Sequence, residues 1–314
     1  MWRNRGCAVT TQTRIGFIGV GMMGHGMAKN LLQKGFPVTV VGHRNRKPVD
    51  ALVAQGASEA KSPADAARQS EILWICVSTS PQVEAIVRDA LDGARKGLII
   101  IDSSTSEPDS TLKLAEECRA KGVTFVDAPL NRMPKDAEEG RLNVMVGADE
   151  TTFAAIKPAL QAIAENIFHV GLVGAGHKIK LLNNFLAMGQ AAAIAEALVA
   201  GRKLGVDLEQ FYKMITAGGV NSGIFQMMVP KSLAGDFTGF QFGIANALKD
   251  LRYYTHMTET GGLPSLMGEA VHQSFVQASA LGFKDRWIAS LIEAQAKVNN
   301  LQFATSPQVG GQAA

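Results

Sequence analysis

Three glycines near the start of the chain have the spacing of a phosphate-binding turn. Gly19, Gly21 and Gly24 form the pattern G-x-G-x-x-G, with Met22 and Met23 before the last glycine. A short apolar run precedes the pattern and a helix-forming stretch follows it. Glycines in this context permit a tight turn and the close approach of a pyrophosphate, whose charge then lies on free N–H groups at the helix start. The pattern predicts a dinucleotide site, and a purely structural glycine turn is the alternative.

A basic loop follows the second predicted strand, where a dinucleotide-binding chain contacts the adenine ribose. Enzymes that use NAD usually have Asp or Glu there to bind the 2′-hydroxyl group. This segment has no acidic residue before Asp50, and its side chains are those of His43, Arg44, Asn45 and Arg46. A guanidinium group binds a 2′-phosphate through charge-assisted hydrogen bonds. The loop therefore predicts NADP(H), with NAD(H) as a second cofactor and a solvated basic loop as the alternative interpretation.

Lys180 and Asn184 are four residues apart, so both project from one face of a predicted helix. An ammonium group and an amide on one face, beside a dinucleotide cleft, are suited to protonate and orient a substrate oxygen during hydride transfer. The same pairing also occurs on solvated helix surfaces. We interpret His177 and Lys178 as ordinary surface residues, and His25 as a packing or capping residue rather than a base.

The elements that position these residues alternate in the first half of the chain. Short apolar runs typical of strands are separated by helical stretches. They lie at residues 15–19, 37–41, 72–77, 98–102, 123–127 and 143–147. Strands joined by helices of 10 to 15 residues imply right-handed crossovers and a mostly parallel sheet. We predict a doubly wound α/β domain of the Rossmann type.

The second half of the chain has helical spacing throughout. Residues 178–204 form one long Ala-rich segment without proline. We predict an NADP-binding domain over residues 14–175 and an all-helical domain for substrate binding and oligomerisation over residues 176–304, joined by the long helix. We expect residues 1–13 and 305–314 to be flexible tails.

Composition argues against several classes of function. The 314 residues carry a net charge of +3, without the basic excess of a nucleic-acid-binding protein. The three cysteines are scattered and no histidine has metal-ligand spacing, so we expect neither a disulfide framework nor a metal site. The apolar run at residues 72–77 is too short to span a membrane. The first 13 residues lack the apolar block of a secretory signal, and we expect a cytoplasmic protein, with an organellar address as the alternative.

Together these motifs resemble the β-hydroxyacid dehydrogenase family, which includes 3-hydroxyisobutyrate dehydrogenase and tartronate semialdehyde reductase (2-hydroxy-3-oxopropionate reductase) and is related to 6-phosphogluconate dehydrogenase. The resemblance covers residues 14–301. Its most specific markers are the glycine pattern within residues 16–31, the string G-x-G-x-x-x-K-x-x-N-N at residues 174–184, and the Lys-Asp-Leu run at residues 249–251.

The resemblance implies roles for individual residues. The family lysine that matches Lys180 is the general acid and base, and the amide that matches Asn184 helps to hold the substrate. Lys249 matches a lysine that reaches the cofactor from the helical domain. The other matching positions border the cofactor in two loops: Val77, Ser78, Thr79, Ser104 and Thr105. For the last two, the alternative is N-capping of the helix that starts near Pro108.

The chain departs from the family where the acid group of the substrate binds. The family usually has D-A-P-V-S-G-G, whereas residues 127–133 are D-A-P-L-N-R-M. We predict that Asn131 and Arg132 bind this acid group, because a guanidinium fork suits carboxylate, sulfonate and phosphate alike. The arginine resembles the branch that contains sulfolactaldehyde reductase. The alternative is an arginine at the cleft edge that pairs with Glu138 or Glu139.

The resemblance implies an NADP(H)-dependent oxidoreductase that interconverts a small β-hydroxy acid and its semialdehyde or keto acid, such as 2-hydroxy-3-oxopropionate or 3-hydroxyisobutyrate. A sulfolactaldehyde reductase is the alternative within the family, and a dinucleotide-binding module without activity is the alternative of another class. The retained Lys180 argues against that module and against imine-reducing relatives. The expected partners are a small acid substrate and further copies of the chain, as a homodimer or homotetramer.

Overall fold

The structure, a computed structural model, describes Thr10 and residues 12–303. The predicted flexible tails lie outside the described residues, apart from Thr10, Gln12 and Thr13. Contacts within the chain divide it into two compact units, the first ending at Lys180 and the second beginning at Leu181. The sequence predicted this boundary at residue 175. The division falls five residues later, because the long helix begins among residues of the first unit and continues in the second.

The first unit contains one sheet, with nine strands in the described part of the chain. The strands are β1 (Ile15–Ile18), β2 (Val38–Val41), β3 (Ser58–Ala60), β4 (Ile72–Ile75), β5 (Ile99–Asp102), β6 (Thr124–Asp127), β7 (Leu130–Asn131), β8 (Leu142–Gly147) and β9 (Ala164–Gly171). Their order is β3-β2-β1-β4-β5-β6-β8-β7, and β9 pairs with β8. The first six strands are parallel, whereas β8 runs antiparallel to β6 and β7.

Seven helices accompany this sheet: α1 (Gly24–Gln33), α2 (Lys47–Val53), α3 (Pro63–Gln69), α4 (Ser80–Gly93), α5 (Pro108–Ala120), α6 (Pro134–Glu138) and α7 (Glu150–Leu160). The sheet has a buried core on each face. Phe17 and Trp74 belong to one hydrophobic cluster, whereas their chain neighbours Ile18 and Ile75 belong to another. Successive side chains of a strand point to opposite faces, so both faces are covered. This confirms the prediction of a doubly wound, mostly parallel sheet.

The parallel strands end at a common edge. The register pairs Ile18 with Ile75, Ile75 with Asp102, and Asp102 with Asp127. The segments that follow β1, β4, β5 and β6 therefore all leave the sheet at its carboxyl edge, where ligands bind in open α/β sheets.

In the described residues of the second unit the regular elements are helices, apart from one isolated β-bridge between Gly243 and Trp287. This unit contains most of α8 (Ala175–Lys203), followed by α9 (Leu208–Thr216), α10 (Gly223–Leu233), α11 (Ile244–Thr260), α12 (Leu266–Ala278) and α13 (Leu291–Val298). By length and composition alone, α8 could cross a membrane. Its buried residues Met188, Ala191 and Ala195 pack instead into the hydrophobic core of this unit, as in the core helix of a globular protein.

Candidate active site

The glycine turn after β1 is shaped by two close backbone approaches and one open position. Gly19 has a φ of +96°, and a Cβ there would lie 2.1 Å from the carbonyl oxygen of Cys76. A Cβ on Gly24 would lie 2.0 Å from the carbonyl oxygen of Gly19, whereas a Cβ on Gly21 would meet no atom within 4 Å. The outer glycines are thus required by the chain itself, and the middle one leaves space for a ligand.

The helix that starts at this turn fits an anion. No side chain caps the beginning of α1, and its first turn contains no acidic residue. The N–H of His25 donates back to the carbonyl oxygen of Gly21 at 3.0 Å, so the N–H groups without a helical partner lie before it in the chain. Met23 packs against the core below the turn, whereas Met22 is exposed. The bare helix start and the open Gly21 fit the pyrophosphate of a dinucleotide.

A pocket of about 640 Å³ lies beside the glycine turn. Five of the residues predicted to bind the cofactor line it: Gly19, Gly21, His43, Asn45 and Val77. Lys61, Ser62 and Gln82 also line it, and the sequence analysis missed them. Lys61 follows β3, a strand of three residues with little apolar character. The sequence analysis did not predict this strand, so it could not place Lys61 at the carboxyl edge of the sheet.

The two arginines of the basic loop differ in their surroundings. Arg46 makes hydrogen bonds to Glu59 at 2.5 and 2.9 Å and to Asp50 at 2.9 Å. These carboxylates raise the pKa of Arg46, and Arg46 holds the pKa of Glu59 below its ordinary value. Arg44 is exposed and forms no hydrogen bond or ion pair with the residues that the structure describes. Arg44, and not Arg46, therefore has an uncommitted charge for a 2′-phosphate.

The loops after β4 and β5 are tied together. The backbone N–H of Val77 donates to Ser104 Oγ at 2.9 Å. The N–H groups of Ser78 and Thr79 both donate to Gln82 Oε1 at 3.1 Å, which fixes the loop before α4. The predicted border of the cofactor site is therefore a connected piece of backbone at the carboxyl edge.

The alternative role for Ser104 and Thr105, capping of α5, is not observed. The N-cap position of α5 belongs to Glu107, and no side chain caps it. Instead, Asp102 organises this loop by accepting bonds from Ser104 N and Ser106 Oγ, both at 2.8 Å.

The start of α8 is held by a buried carboxylate at the end of β6. Asp127 accepts the N–H groups of Gly174 at 2.7 Å and His177 at 2.8 Å. Gly174 has a φ of +92°, and a Cβ on Gly176 would lie 2.6 Å from the carbonyl oxygen of Met145. The G-x-G of this motif therefore permits α8 to start directly against the sheet. Burial raises the pKa of Asp127 above its ordinary value, although nearby His177 and the two N–H donors oppose the shift.

The interpretation of His177 as a surface residue is wrong. Its side chain is fully buried, with Nδ1 2.7 Å from Thr111 Oγ1 and Nε2 3.2 Å from the carbonyl oxygen of Ser104. Helical spacing alone cannot show this burial, because it results from the carboxyl edge of the sheet packing on the first turn of α8. Lys178, the next residue, is exposed as predicted.

Lys180 points at the loop that follows β6. Its Nζ donates to Asn131 Oδ1 at 2.8 Å, and both side chains are half-buried. Asn131 ends β7, the short strand that pairs antiparallel with β8. The structure thus brings together the predicted general acid and one of the three residues predicted to bind the substrate. The lysine does not point into bulk water.

Arg132 has a backbone conformation that favours glycine. Its φ is +85°, in the left-handed region that side chains rarely adopt. Its Nη1 donates to the carbonyl oxygen of Arg141 at 2.6 Å and pairs with Glu165. The alternative pairing with Glu138 or Glu139 is not observed. Its Nη2 and Nε make no hydrogen bond within the described residues, so the three N–H donors on these two nitrogens stay uncommitted.

Glu138 instead connects two helices of the first unit. It pairs with His25 at 2.7 Å and with Lys29, both on α1, while it lies at the end of α6. Asn30 Nδ2 strengthens this contact by donating to the carbonyl oxygen of Ala137 at 2.9 Å. His25 thus joins α1 to α6 through a side-chain hydrogen bond, and it does not cap α1. The contact fixes the helix of the glycine turn against the helix that follows the Asn131–Arg132 loop.

In the second unit, the predicted substrate amide has a buried partner. Asn184 Nδ2 donates to Asp250 Oδ2 at 2.6 Å, and Lys249 Nζ lies 2.8 Å from the other oxygen of that carboxylate. Lys249 also lies over the ring of Tyr253. Because a carboxylate only accepts hydrogen bonds, Asp250 fixes the orientation of the Asn184 amide. The predicted reach of Lys249 to the cofactor stays a prediction.

Comparisons with known proteins agree with this arrangement. Residues 14–171 match the family described as the NAD binding domain of 6-phosphogluconate dehydrogenase, and residues 174–294 match the NAD-binding family of NADP-dependent 3-hydroxyisobutyrate dehydrogenase. The 2-(hydroxymethyl)glutarate dehydrogenase of Eubacterium barkeri is 35% identical, over 89% of this chain and 94% of its own length. Human mitochondrial 3-hydroxyisobutyrate dehydrogenase is 32% identical, over 91% of this chain and 88% of its own length.

A solved structure gives the same result for the fold. The 3-hydroxyisobutyrate dehydrogenase of Mycobacterium tuberculosis, determined with L-serine, superposes with a TM-score of 0.83 at 27% identity, over 90% of this chain and 98% of that one. Among the described residues, no group of three or more His, Cys, Asp or Glu side chains is arranged to hold a metal ion.

Proposed function

The chain belongs to the β-hydroxyacid dehydrogenase family and is an NAD(P)-dependent oxidoreductase, and on that premise we propose that it uses NADP(H) to interconvert a small β-hydroxy acid and its semialdehyde or keto acid. The observation that carries the proposal is the 2.8 Å hydrogen bond from Lys180 to Asn131, beside the predicted acid-binding loop. The uncommitted Arg44 supports the preference for NADP(H).

Each residue of the candidate site has a separate role in the proposed reaction. The bound dinucleotide supplies or accepts the hydride. Lys180 Nζ gives a proton to the carbonyl oxygen of the substrate during reduction and removes it from the hydroxyl group during oxidation. Asn131 Oδ1 orients the ammonium group, Asn131 and Arg132 hold the acid group, and Asn184 holds the hydroxyl side of the substrate. General acid and base catalysis of this kind contributes about 10²- to 10⁴-fold in rate.

The similar proteins are named for different hydroxy acids, so the identity of the acid substrate is part of the proposal. We propose 2-hydroxy-3-oxopropionate or 3-hydroxyisobutyrate as the substrate type, with Arg132 binding the acid group. A sulfonate is the second candidate, because the uncommitted N–H groups on Nη2 and Nε of Arg132 fit either anion. From the family resemblance we also propose a homodimer or homotetramer, which light scattering tests.

Replacement of Lys180 tests the proposed reaction. We expect Lys180→Ala to bind NADPH as the wild type does but to lose about 10²- to 10⁴-fold in kcat, because the proton donor is missing. The measurement is NADPH oxidation with tartronate, methylmalonate, succinate and sulfolactate semialdehydes. Lys178→Ala is the matched control, since this exposed lysine lies on the same turn of α8. Full activity of Lys180→Ala would refute the assigned role.

Replacement of Arg132 tests recognition of the acid group. Glycine removes the guanidinium and suits the φ of +85°, so Arg132→Gly keeps the backbone unstrained. We expect KM for the acid substrate to rise about 10- to 100-fold, because one or two charge-assisted hydrogen bonds to the acid group are lost. The same variant, assayed on carboxylate and sulfonate semialdehydes, shows which anion depends on the arginine. An unchanged KM for every substrate would exclude Arg132 from the site.

A further inference from the structure

One fully buried side chain connects the start of α8 to the loop that borders the predicted cofactor site. The imidazole of His177 lies on the first turn of α8, three residues before Lys180. Its Nε2 is 3.2 Å from the carbonyl oxygen of Ser104, and its Nδ1 is 2.7 Å from the hydroxyl of Thr111 on α5. Neither the proposed proton transfer nor the acid-binding loop uses this ring.

The direction of the first contact follows from its chemistry. A carbonyl oxygen only accepts hydrogen bonds, so Nε2 carries a proton and donates it to Ser104. The same Ser104 accepts the N–H of Val77 through its hydroxyl oxygen. A continuous path of hydrogen bonds therefore runs from the loop after β4, through the loop after β5, to the helix that bears Lys180.

The charged groups around the ring complete this connection. The carboxylate of Asp102, at the end of β5, lies 3.7 Å from Nε2, and that of Asp127, at the end of β6, lies 4.0 Å from Nδ1. Both carboxylates are also bonded to backbone N–H groups, of Ser104 and of His177 itself. The ring is thus fully buried among groups whose positions are already fixed.

We infer that His177 is a positioning residue for the proposed reaction: by donating to the Ser104 carbonyl oxygen, it keeps the first turn of α8, and with it Lys180, in fixed register with the loop that borders the cofactor. This inference rests on the proposed function of Lys180. The two bonds fix the orientation of the ring between α5 and the loop after β5. A displacement of about 1 Å at a proton donor costs up to about 10²-fold in rate.

Two amide variants separate the two bonds of the ring. In His177→Gln the amide reaches the position of Nε2 and can donate to Ser104, whereas in His177→Asn it reaches only the position of Nδ1 and the Thr111 hydroxyl. We expect His177→Asn to lower kcat about 10- to 100-fold with little change in KM for NADPH. We expect the kinetic isotope effect with 4-deuterated NADPH to rise, because hydride transfer becomes slower than product release. His177→Gln should recover most of the activity.

Hydrogen exchange provides a readout that does not depend on turnover. We expect faster exchange at residues 103–107 and 175–181 in His177→Asn, and wild-type exchange in His177→Gln. Wild-type kcat and exchange in His177→Asn would overturn the inference. A merely structural role predicts a different result: both variants lose the same amount of kcat because a smaller fraction of the protein is active, and the isotope effect does not change. That result would also overturn the inference. A wild type that reduces no semialdehyde would refute the proposed function and with it the positioning role for that reaction, whereas the exchange result would still show whether His177 ties residues 175–181 to residues 103–107.

Discussion

At the scale of single residues, ion pairing inside the chain decides which charges remain for ligands. Arg46 lies between two carboxylates, and a Cβ on Gly42 would touch its guanidinium at 2.3 Å. Its charge is therefore balanced without a cofactor. Arg44, two residues earlier, has no such partner among the described residues, and Lys61 lines the pocket from the neighbouring strand. Discrimination between the two dinucleotides should then depend on Arg44 far more than on Arg46.

Substitution of each arginine tests this division. We expect Arg44→Ala to raise Kd for NADPH by about 10- to 100-fold, the value of a charge-assisted contact to phosphate, and to leave Kd for NADH nearly unchanged. Arg46→Ala is the matched control and should alter the ratio of the two constants much less. Titration of each variant with both dinucleotides gives the measurement. If Arg44→Ala weakened the binding of NADPH and of NADH equally, Arg44 would not be the residue that binds the 2′-phosphate.

The positions of the candidate residues were predictable where a sequence motif marks them, whereas their roles stay predictions. The string that contains Lys180 identifies the lysine, and the departure at residues 131 and 132 identifies the altered loop. Burial was not predictable in the same way. The residues next to His177 in the sequence are typical of a helix surface. The groups that surround its side chain, among them the Asp102 and Asp127 carboxylates, are 75 and 50 residues away in the chain. Because these partners lie at the carboxyl edge of the sheet, the sequence around His177 does not indicate that its side chain is buried.

At the scale of elements, the start of α8 depends on space for a glycine. A Cβ on Gly176 would lie 2.6 Å from the Met145 carbonyl oxygen and 2.9 Å from Asp127 Oδ2, both fixed groups. The helix would have to move away from the sheet to accept a side chain. Gly189, in the middle of the same helix, has only Val271 nearby, at the ordinary contact distance of 3.8 Å.

These two glycines form a matched pair for measurement. We expect Gly176→Ala to lower the free energy of unfolding by about 1–3 kcal/mol, through overpacking at the helix start. Gly189→Ala should instead raise it by about 0.5–1 kcal/mol, because alanine is the better helix former and fits the space. Urea unfolding of both variants supplies the comparison. A neutral or stabilising Gly176→Ala would contradict the close approach.

Element prediction succeeded where apolar runs are long and failed at short or half-exposed strands. The five buried parallel strands β1, β2, β4, β5 and β6 follow the predicted runs, as does β8. The three strands that were missed are β3, β7 and β9. Two of them are only three and two residues long, and β9 is mostly half-exposed, so none has an apolar run. Their pairing depends on neighbours supplied by the rest of the sheet.

At the scale of the whole molecule, the stability of the first unit should depend on pH through the contact between α1 and α6. Burial alone would raise the pKa of Glu138, but the bonds from His25 and Lys29 outweigh it and hold the pKa below its ordinary value. A carboxyl group with a lowered folded-state pKa stabilises the fold above its unfolded pKa of about 4.3. That contribution is lost as the pH falls through the lower folded-state value.

Comparison with Glu138→Gln isolates this contribution. We expect the wild type to be more stable than the variant at pH 7, and the difference to shrink as the pH falls below about 4. Urea unfolding across the acid range measures it, followed by tryptophan fluorescence, to which the buried Trp74 of this unit contributes. Glu116→Gln is the control, because this exposed residue has no ion pair in the described chain. A difference that stays constant from pH 7 to pH 3 would disprove the expectation.

The left-handed backbone at position 132 has an evolutionary consequence. Because glycine suits that conformation better than arginine does, a single codon change can exchange the two residues without refolding the loop. Recognition of the acid group could then be altered while the Lys180–Asn131 contact persists. Under the proposed role of Arg132, one substitution therefore changes which acids the protein accepts and leaves the backbone of the loop unstrained.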